Sequence, residues 1–459
     1  MSDLRSELFY GQKNGYDRID TAERVRCEEY NRGYMAYLDA ARTEREAVKE
    51  AIRLAEAAGF RPMTADMGAI QPGQKVYYNN RGKMLILAVG GQKPMTAGCV
   101  IEAAHVDAPR LDLKQIPLYE DSELAYFRTH YYGGIKKYQW TAIPLELHGT
   151  VALKDGSTVD VVIGREKDDP QFVITDLLPH LGKDQRKKTL DEGIEGEKLC
   201  LLIGSVPYAG AGEDRVRLAV LSLLHDRFGI TEEDFISAEL EAVPAFEVRE
   251  LGLDRSLIGA YGQDDRVCAY AELAAILELE RPERTAICIL ADKEEIGSEG
   301  VSGMISHAFE HTVGRLCGDP ALVEECFSRS FCVSADVTVA YDPLYPEVSE
   351  KRNAAKINYG VAICKHTGSR GKSGASDASA EVVAKLRRIC DDAGVVWQMC
   401  ELGKVDQGGG GTVAMFMAGR NIDTIDAGVP VLSMHAPFET TAKFDCYMTY
   451  KCMKAAYER

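Results

Sequence analysis

Four short apolar runs in this chain each end at a histidine or a carboxylate, and that punctuation constrains the fold more than any other feature. CVIEAAH reaches His105, with Asp107 two residues on. TAICIL runs into DKEEIGS with Glu294 and Glu295, SFCVSAD reaches Asp336, and VPVLSMH reaches His435. Apolar runs of this length, bounded by turn residues, predict buried strands. Set among helical stretches, they predict an α/β fold in which an open mixed sheet is sandwiched by helices. Ligands of such sheets gather beyond the ends of the strands, so the four runs would deliver their polar residues to one place. A fifth site opens a helix instead. Asp264 and Asp265 stand at the head of QDDRVCAYAELAAIL, where Val267, Tyr270, Leu273 and Leu277 mark one apolar face.

Each of these features is ordinary when taken singly. A glutamate pair is usually solvated, and paired aspartates suit a helix N-terminus without any metal. Together they form an inventory of two imidazoles and several carboxylates. That donor set suits a pair of zinc-class divalent ions, with one carboxylate bridging and positions left open for water. Asp107, two residues beyond His105, can accept the ring N–H and fix the tautomer a metal needs. No two cysteines have the CxxC spacing of a closed structural zinc site.

Other motifs fail on inspection. GSRGKSG at 368–374 contains GKS, but His366 stands where a phosphate loop needs glycine. His307 and His311 have helical spacing without the HExxH arrangement, and there is no GxSxG elbow. Cys268 and Cys288 read as small buried hydrophobes. The glycines 408–411 precede an apolar helical run that begins after Thr412. They read either as a flexible linker or as a loop in which Gly410 and Thr412 face a substrate carbonyl or an anionic intermediate.

Seven segments in order, HVD at 105–107, QDDR at 263–266, DKEEIGS at 292–298, SADV at 334–337, KIN at 356–358, GGGT at 409–412 and SMHAP at 433–437, carry a resemblance over nearly the whole chain. The sequence resembles the co-catalytic metallopeptidases that include aspartyl aminopeptidase and the vacuolar aminopeptidase I of yeast. The resemblance implies two divalent metal ions per subunit, zinc in the first place, with cobalt or manganese as alternatives. It makes Asp264 the bridging carboxylate, with His105 and Asp336 completing one ion and Glu295 and His435 the other. Glu294 becomes the general base, Asp107 orients His105, and the peptide bond between Asp264 and Asp265 is cis. The implied reaction removes the N-terminal residue from peptides with a free N-terminus, and Lys356 of KIN would hold a carboxylate of the substrate or of a structural partner. One departure stands out. The aspartyl branch leads us to expect histidine three residues after the metal aspartate, where this chain has Val339, so no strict demand for an acidic N-terminal residue is expected. The alternatives are a related metal-dependent dipeptidase or deacylase, and a catalytically silent self-assembling scaffold.

A chain of 459 residues exceeds one ordinary core. After Pro109 the pattern changes. PLELHGTVAL and STVDVVIG alternate like half-exposed strands, a helical stretch runs near Asp214–Phe228, and an extended one near Ala238–Val248. Residues 109–249 therefore read as a smaller β-rich domain inserted between two parts of a catalytic domain, 1–108 and 250–459. The resemblance makes the insertion a dimerisation domain and the assembly a homo-oligomer, a dodecamer built from dimers. It also has His180, in LLPHLGKDQRKK, reach a neighbouring subunit's active site, whereas the residues alone suggest only a histidine before a solvated basic loop. Thirteen cysteines without compact spacing, and an N-terminus lacking an apolar signal core, lead us to expect a cytoplasmic protein with free thiols. The net charge of −17 argues against nucleic acid or an anionic membrane as a partner, and no stretch approaches the length of a membrane span.

Overall fold

A computed structural model describes residues 4, 7–64, 66–210 and 212–459. The first three residues, with 5 and 6, of the N-terminal segment read above lie outside them. The backbone forms three sheets, and their junction positions everything that follows.

The largest is a nine-stranded mixed sheet. Its centre is Val100–His105, flanked on either side by the parallel strands Ala286–Ala291 and Phe331–Ser334. Asp423–Gly428 continues the parallel set beyond Phe331–Ser334, while Met84–Val89 and Val361–Cys364 join antiparallel. Alternation along each strand explains why helices cover both faces. Leu85, Leu87, Ala104, Cys288 and Leu290 point into one core with the helices Thr21–Ala40, Glu44–Ala57, Gln263–Leu277 and Lys443–Tyr457. Their neighbours Ile86, Ala88, Ala103, Ile287 and Ile289 point into a second core against the helix Ala308–Cys317. Being apolar on both faces is what makes these strands read as continuous hydrophobic runs.

The second sheet is antiparallel throughout and has six strands, with Thr158–Ile163, Leu145–Ala152, Ala238–Pro244, Arg110–Asp121, Leu124–Tyr132 and Cys200–Gly204 in that order. Its own core forms where Leu111, Phe127, Leu147 and Leu240 meet Val216, Val220 and Leu224 of the helix Arg215–Phe228. The long hairpin of Arg110–Asp121 and Leu124–Tyr132 was not resolved as strands from sequence. It carries few alternating apolar residues on its exposed face.

The third sheet is small but decisive for the site. Arg249–Leu251, Leu257–Ala260, Glu439–Ala442, Pro430–Leu432 and Thr338–Val339 pair in that order. It ties the approach to Asp264 directly to the segment after His435. The thirteen cysteines are free thiols, and no helix among the described residues is long and apolar enough to cross a membrane.

Candidate metal centre

Each strand end delivers its polar residue to one junction. His105 is the last residue of its central strand, and its imidazole is buried. Its Nδ1–H donates to the carbonyl of Asp107 at 3.0 Å and lies 3.3 Å from Asp107 Oδ1. A carbonyl can only accept, so the proton sits on Nδ1 and Nε2 faces inward, 3.2 Å from Asp264 Oδ1. His435 repeats the arrangement from the other side. Its Nδ1–H donates to the carbonyl of Gly134 at 2.8 Å, and its Nε2 lies 3.2 Å from Asp264 Oδ2 and 3.5 Å from Glu295 Oε1. Asp264 thus offers one oxygen to each imidazole.

Local backbone conformation makes this possible. The peptide bond between Asp264 and Asp265 is cis, and neither residue has helical dihedrals although they head the helix that runs to Leu277. Glu294 and Glu295 sit in a single tight turn entered through Lys293, whose φ is 67°, and His435 itself has φ of 63°. Non-glycine residues held in the left-handed region cluster at functional sites, where surrounding contacts over-determine them. Here Asp107 supplies those contacts for the turn, its two carboxylate oxygens accepting the N–H groups of Glu294 at 3.1 Å and Glu295 at 3.2 Å.

The structure also brings in residues that sequence reasoning missed. Glu439 is buried, and its two oxygens accept the backbone N–H of Asp264 at 3.0 Å and of His435 at 2.7 Å. Tyr132, at the end of a strand of the six-stranded sheet, donates its hydroxyl to Asp107 Oδ2 at 2.8 Å. Asp265, read only as the bridging residue's neighbour, groups with His105 and Asp336. One ligand atom from each lies within 4.8 Å of the others, and the same holds for His105, Asp264 and Glu295. The only sequence signal for Glu439 was an acidic residue four positions beyond the histidine.

Electrostatics show what the cluster lacks. Burial pushes the Glu294 carboxyl up to about 7, and it pushes those of Glu295, Asp265 and Asp336 well above the usual carboxylate range. Glu439 rises to about 8 for the same reason. Burial would raise Asp264 too, but hydrogen bonds with His105 and His435 hold it well below its ordinary value. Burial acts in the opposite sense on the imidazoles. Even so, the carboxylates carry His435 up to about 10 and His105 well above its usual range. Among the described residues no lysine or arginine forms an ion pair with any of these carboxylates. Glu295 Oε1 and Asp265 Oδ1 are buried without a hydrogen-bond partner. A surplus of buried carboxyl groups without cations must hold protons, and divalent ions would displace those protons. The donor set therefore fits zinc-class ions.

Four other predicted site residues lie apart from these contacts. His180 is exposed in a turn of the inserted segment. Lys356 donates its ammonium to Gln12 Oε1 at 3.2 Å and lies over the ring of Tyr359. Gly410 is exposed and donates its N–H to the carbonyl of Thr367. The hydroxyl of Thr412 donates to the buried Asp426 at 2.7 Å, which turns it toward the core.

The same architecture recurs in known proteins. The model of the family described as aminopeptidase I zinc metalloprotease (M18) matches residues 37–457. A probable M18 family aminopeptidase 1 from Clostridium acetobutylicum is 46% identical over 455 residues, covering 97% of this chain and 98% of the relative. The crystal structure of an M18 family aminopeptidase from Thermotoga maritima superposes with a TM-score of 0.94 at 42% identity, covering 98% of this chain and 100% of that one. The aminopeptidase I structure from Clostridium acetobutylicum gives 0.92 at 44% identity, with coverage of 98% and 100%. With its family model spanning nearly the whole length and its fold matched end to end, this chain belongs to the M18 family of zinc metallo-aminopeptidases.

Proposed function

We propose that the protein hydrolyses the first peptide bond of substrates with a free N-terminus, using two divalent ions and Glu294 as general base. The observation that carries this reading is the Asp264 carboxylate placed between two inward-facing Nε2 atoms. His105 and Asp336 would hold one ion, Glu295 and His435 the other, and Asp264 both. Bound there, such ions polarise the scissile carbonyl and lower the pKa of water from 15.7 to roughly 7.

The chain's own groups do the rest. Glu294 Oε2 lies 3.8 Å from His105 Nε2, beyond hydrogen-bond reach, and among the described residues its carboxylate accepts no hydrogen bond, which leaves it free to move a proton. Its carboxylate takes the proton of the attacking water and returns it to the departing amine. Asp107 keeps His105 in one tautomer and fixes the backbone of Glu294 and Glu295, and Glu439 does the same for Asp264 and His435. We further assign 109–249 as a dimerisation unit, supported by Ile116, Leu177, Leu181, Leu190, Val206 and Leu223, all strongly exposed on it.

Glu294→Gln tests the assignment. Turnover is expected to fall by about two to four orders of magnitude while two metal ions stay bound. Near-wild-type turnover would remove Glu294 from this role. Hydrolysis of acylated amino acids in place of free-amine peptides would favour the deacylase alternative, and metal-loaded protein inert to both would favour the scaffold.

A further inference from the structure

The six-stranded sheet reaches the metal centre at one corner, Tyr132–Gly134, and that corner touches both halves of it. Tyr132 donates its hydroxyl to Asp107 Oδ2, and Asp107 in turn holds His105 and the N–H groups of Glu294 and Glu295. Two residues later, the carbonyl of Gly134 accepts the Nδ1–H of His435. Between them Gly133 has φ of 73°, and a Cβ there would sit 3.2 Å from Glu295 Oε2 and 3.3 Å from its Cβ. A Cβ on Gly134 would stand 3.4 Å from His435 Nδ1. The two glycines therefore permit a close approach that side chains would obstruct.

The corner is anchored on both sides. The Arg110 guanidinium lies 3.8 Å from the centre of the Tyr132 ring, and its nitrogens pair with Asp112 at 2.8 Å and Glu241 at 3.2 Å in the six-stranded sheet. A third contact, at 3.6 Å, reaches Glu44 on the helix Glu44–Ala57 of the main body. All of these except Asp112 are buried.

We propose that Tyr132–Gly134 is a positioning latch through which the six-stranded unit sets the metal affinity of the active site. This inference rests on the two-metal reading above. Partners that orient metal ligands from the second layer typically control affinity by 10–100-fold. Here a single turn of another sheet supplies such partners to both candidate ion positions.

Three variants test it: Tyr132→Phe, which keeps the ring on Arg110, Gly133→Val, and Tyr131→Phe as a control on the exposed neighbouring hydroxyl. Zinc affinity and stoichiometry are read by chelator competition. Deuterium uptake of segments 292–297 and 433–437 is read in metal-free protein. We expect Tyr132→Phe to bind zinc about 10–100-fold more weakly, with turnover restored by saturating zinc, and Gly133→Val to bind more weakly still. Uptake should rise at 292–297 in Tyr132→Phe and at both segments in Gly133→Val, and Tyr131→Phe should match wild type in every measurement. Wild-type zinc affinity in Tyr132→Phe together with unchanged uptake would overturn the latch. If wild-type protein itself takes up no zinc, the two-metal reading fails, and the uptake of metal-free protein alone decides whether the corner holds these segments.

Discussion

His148 offers a quantitative test of how the six-stranded sheet is fastened to the main body. It is fully buried on the strand Leu145–Ala152, with Nδ1 2.8 Å from Glu46 Oε1 of the helix Glu44–Ala57 and Nε2 3.3 Å from Glu146 Oε1. Burial alone would depress the imidazole, but the neighbouring carboxylates, Glu146 as a close ion pair and Glu46 through a hydrogen bond, outweigh it and carry the group from 6.5 to about 9. At ~1.4 kcal/mol per pH unit, that rise is worth roughly 3 kcal/mol of stability. The folded value is raised, so the contribution is complete below about 6.5 and is lost as pH climbs through about 9. His148→Gln should therefore be less stable than wild type by roughly 3 kcal/mol at pH 6, and the gap should close by pH 10. Urea unfolding of metal-free protein across that range, followed by tryptophan fluorescence, measures it. Trp140 is buried in the six-stranded unit's own core and reports its release. A gap that is constant with pH would show that the imidazole is neutral and that the joint is not an ion pair.

Three further outcomes bear on the site. Asp264→Ala should lose both ions more completely than substitution of any other ligand, since one carboxylate faces both histidines; metal analysis still finding two ions would contradict the bridging role. At least one neutral aminoacyl substrate should be cleaved with an efficiency comparable to aspartyl or glutamyl ones, because Val339 offers no hydrogen bond to a buried acidic side chain, a difference of about 1.5–3 kcal/mol. A panel in which only acidic compounds are cleaved would refute this. His180→Phe should lower turnover without removing metal, and exchanging subunits with Glu294→Gln protein should restore part of it; inactive hybrids would confine His180 to a local role.

The sequence made the site legible to the extent that strands present it. His105, Glu294, Glu295 and Asp336 follow apolar runs whose burial is unmistakable, and their convergence follows from parallel neighbours in one sheet. The partners of the backbone were not legible. Glu439 acts on two N–H groups and Gly134 through its carbonyl, and neither role has a side-chain signature. Tyr132 lies in a hairpin that the sequence pattern did not reveal as strands, and only pairing across that hairpin aims it at Asp107. Thr412 shows the reverse. Its position at a glycine-rich helix start suggested a substrate contact, yet the buried Asp426 that accepts its hydroxyl lies fourteen residues on, beyond any local pattern.

The division of the centre among three sheets has a consequence for when the protein becomes a peptidase. Its polar residues are spread from position 105 to position 439, and the strand Glu439–Ala442, paired with Leu257–Ala260, is what brings Glu439 to the N–H groups of Asp264 and His435. Pairings so distant in sequence form late, because the loops must close before the contacts reward them. A growing chain would thus carry histidines and carboxylates for most of its synthesis without the geometry to grip an ion or cut a peptide. The centre is complete only where the chain's last strand joins its earlier ones.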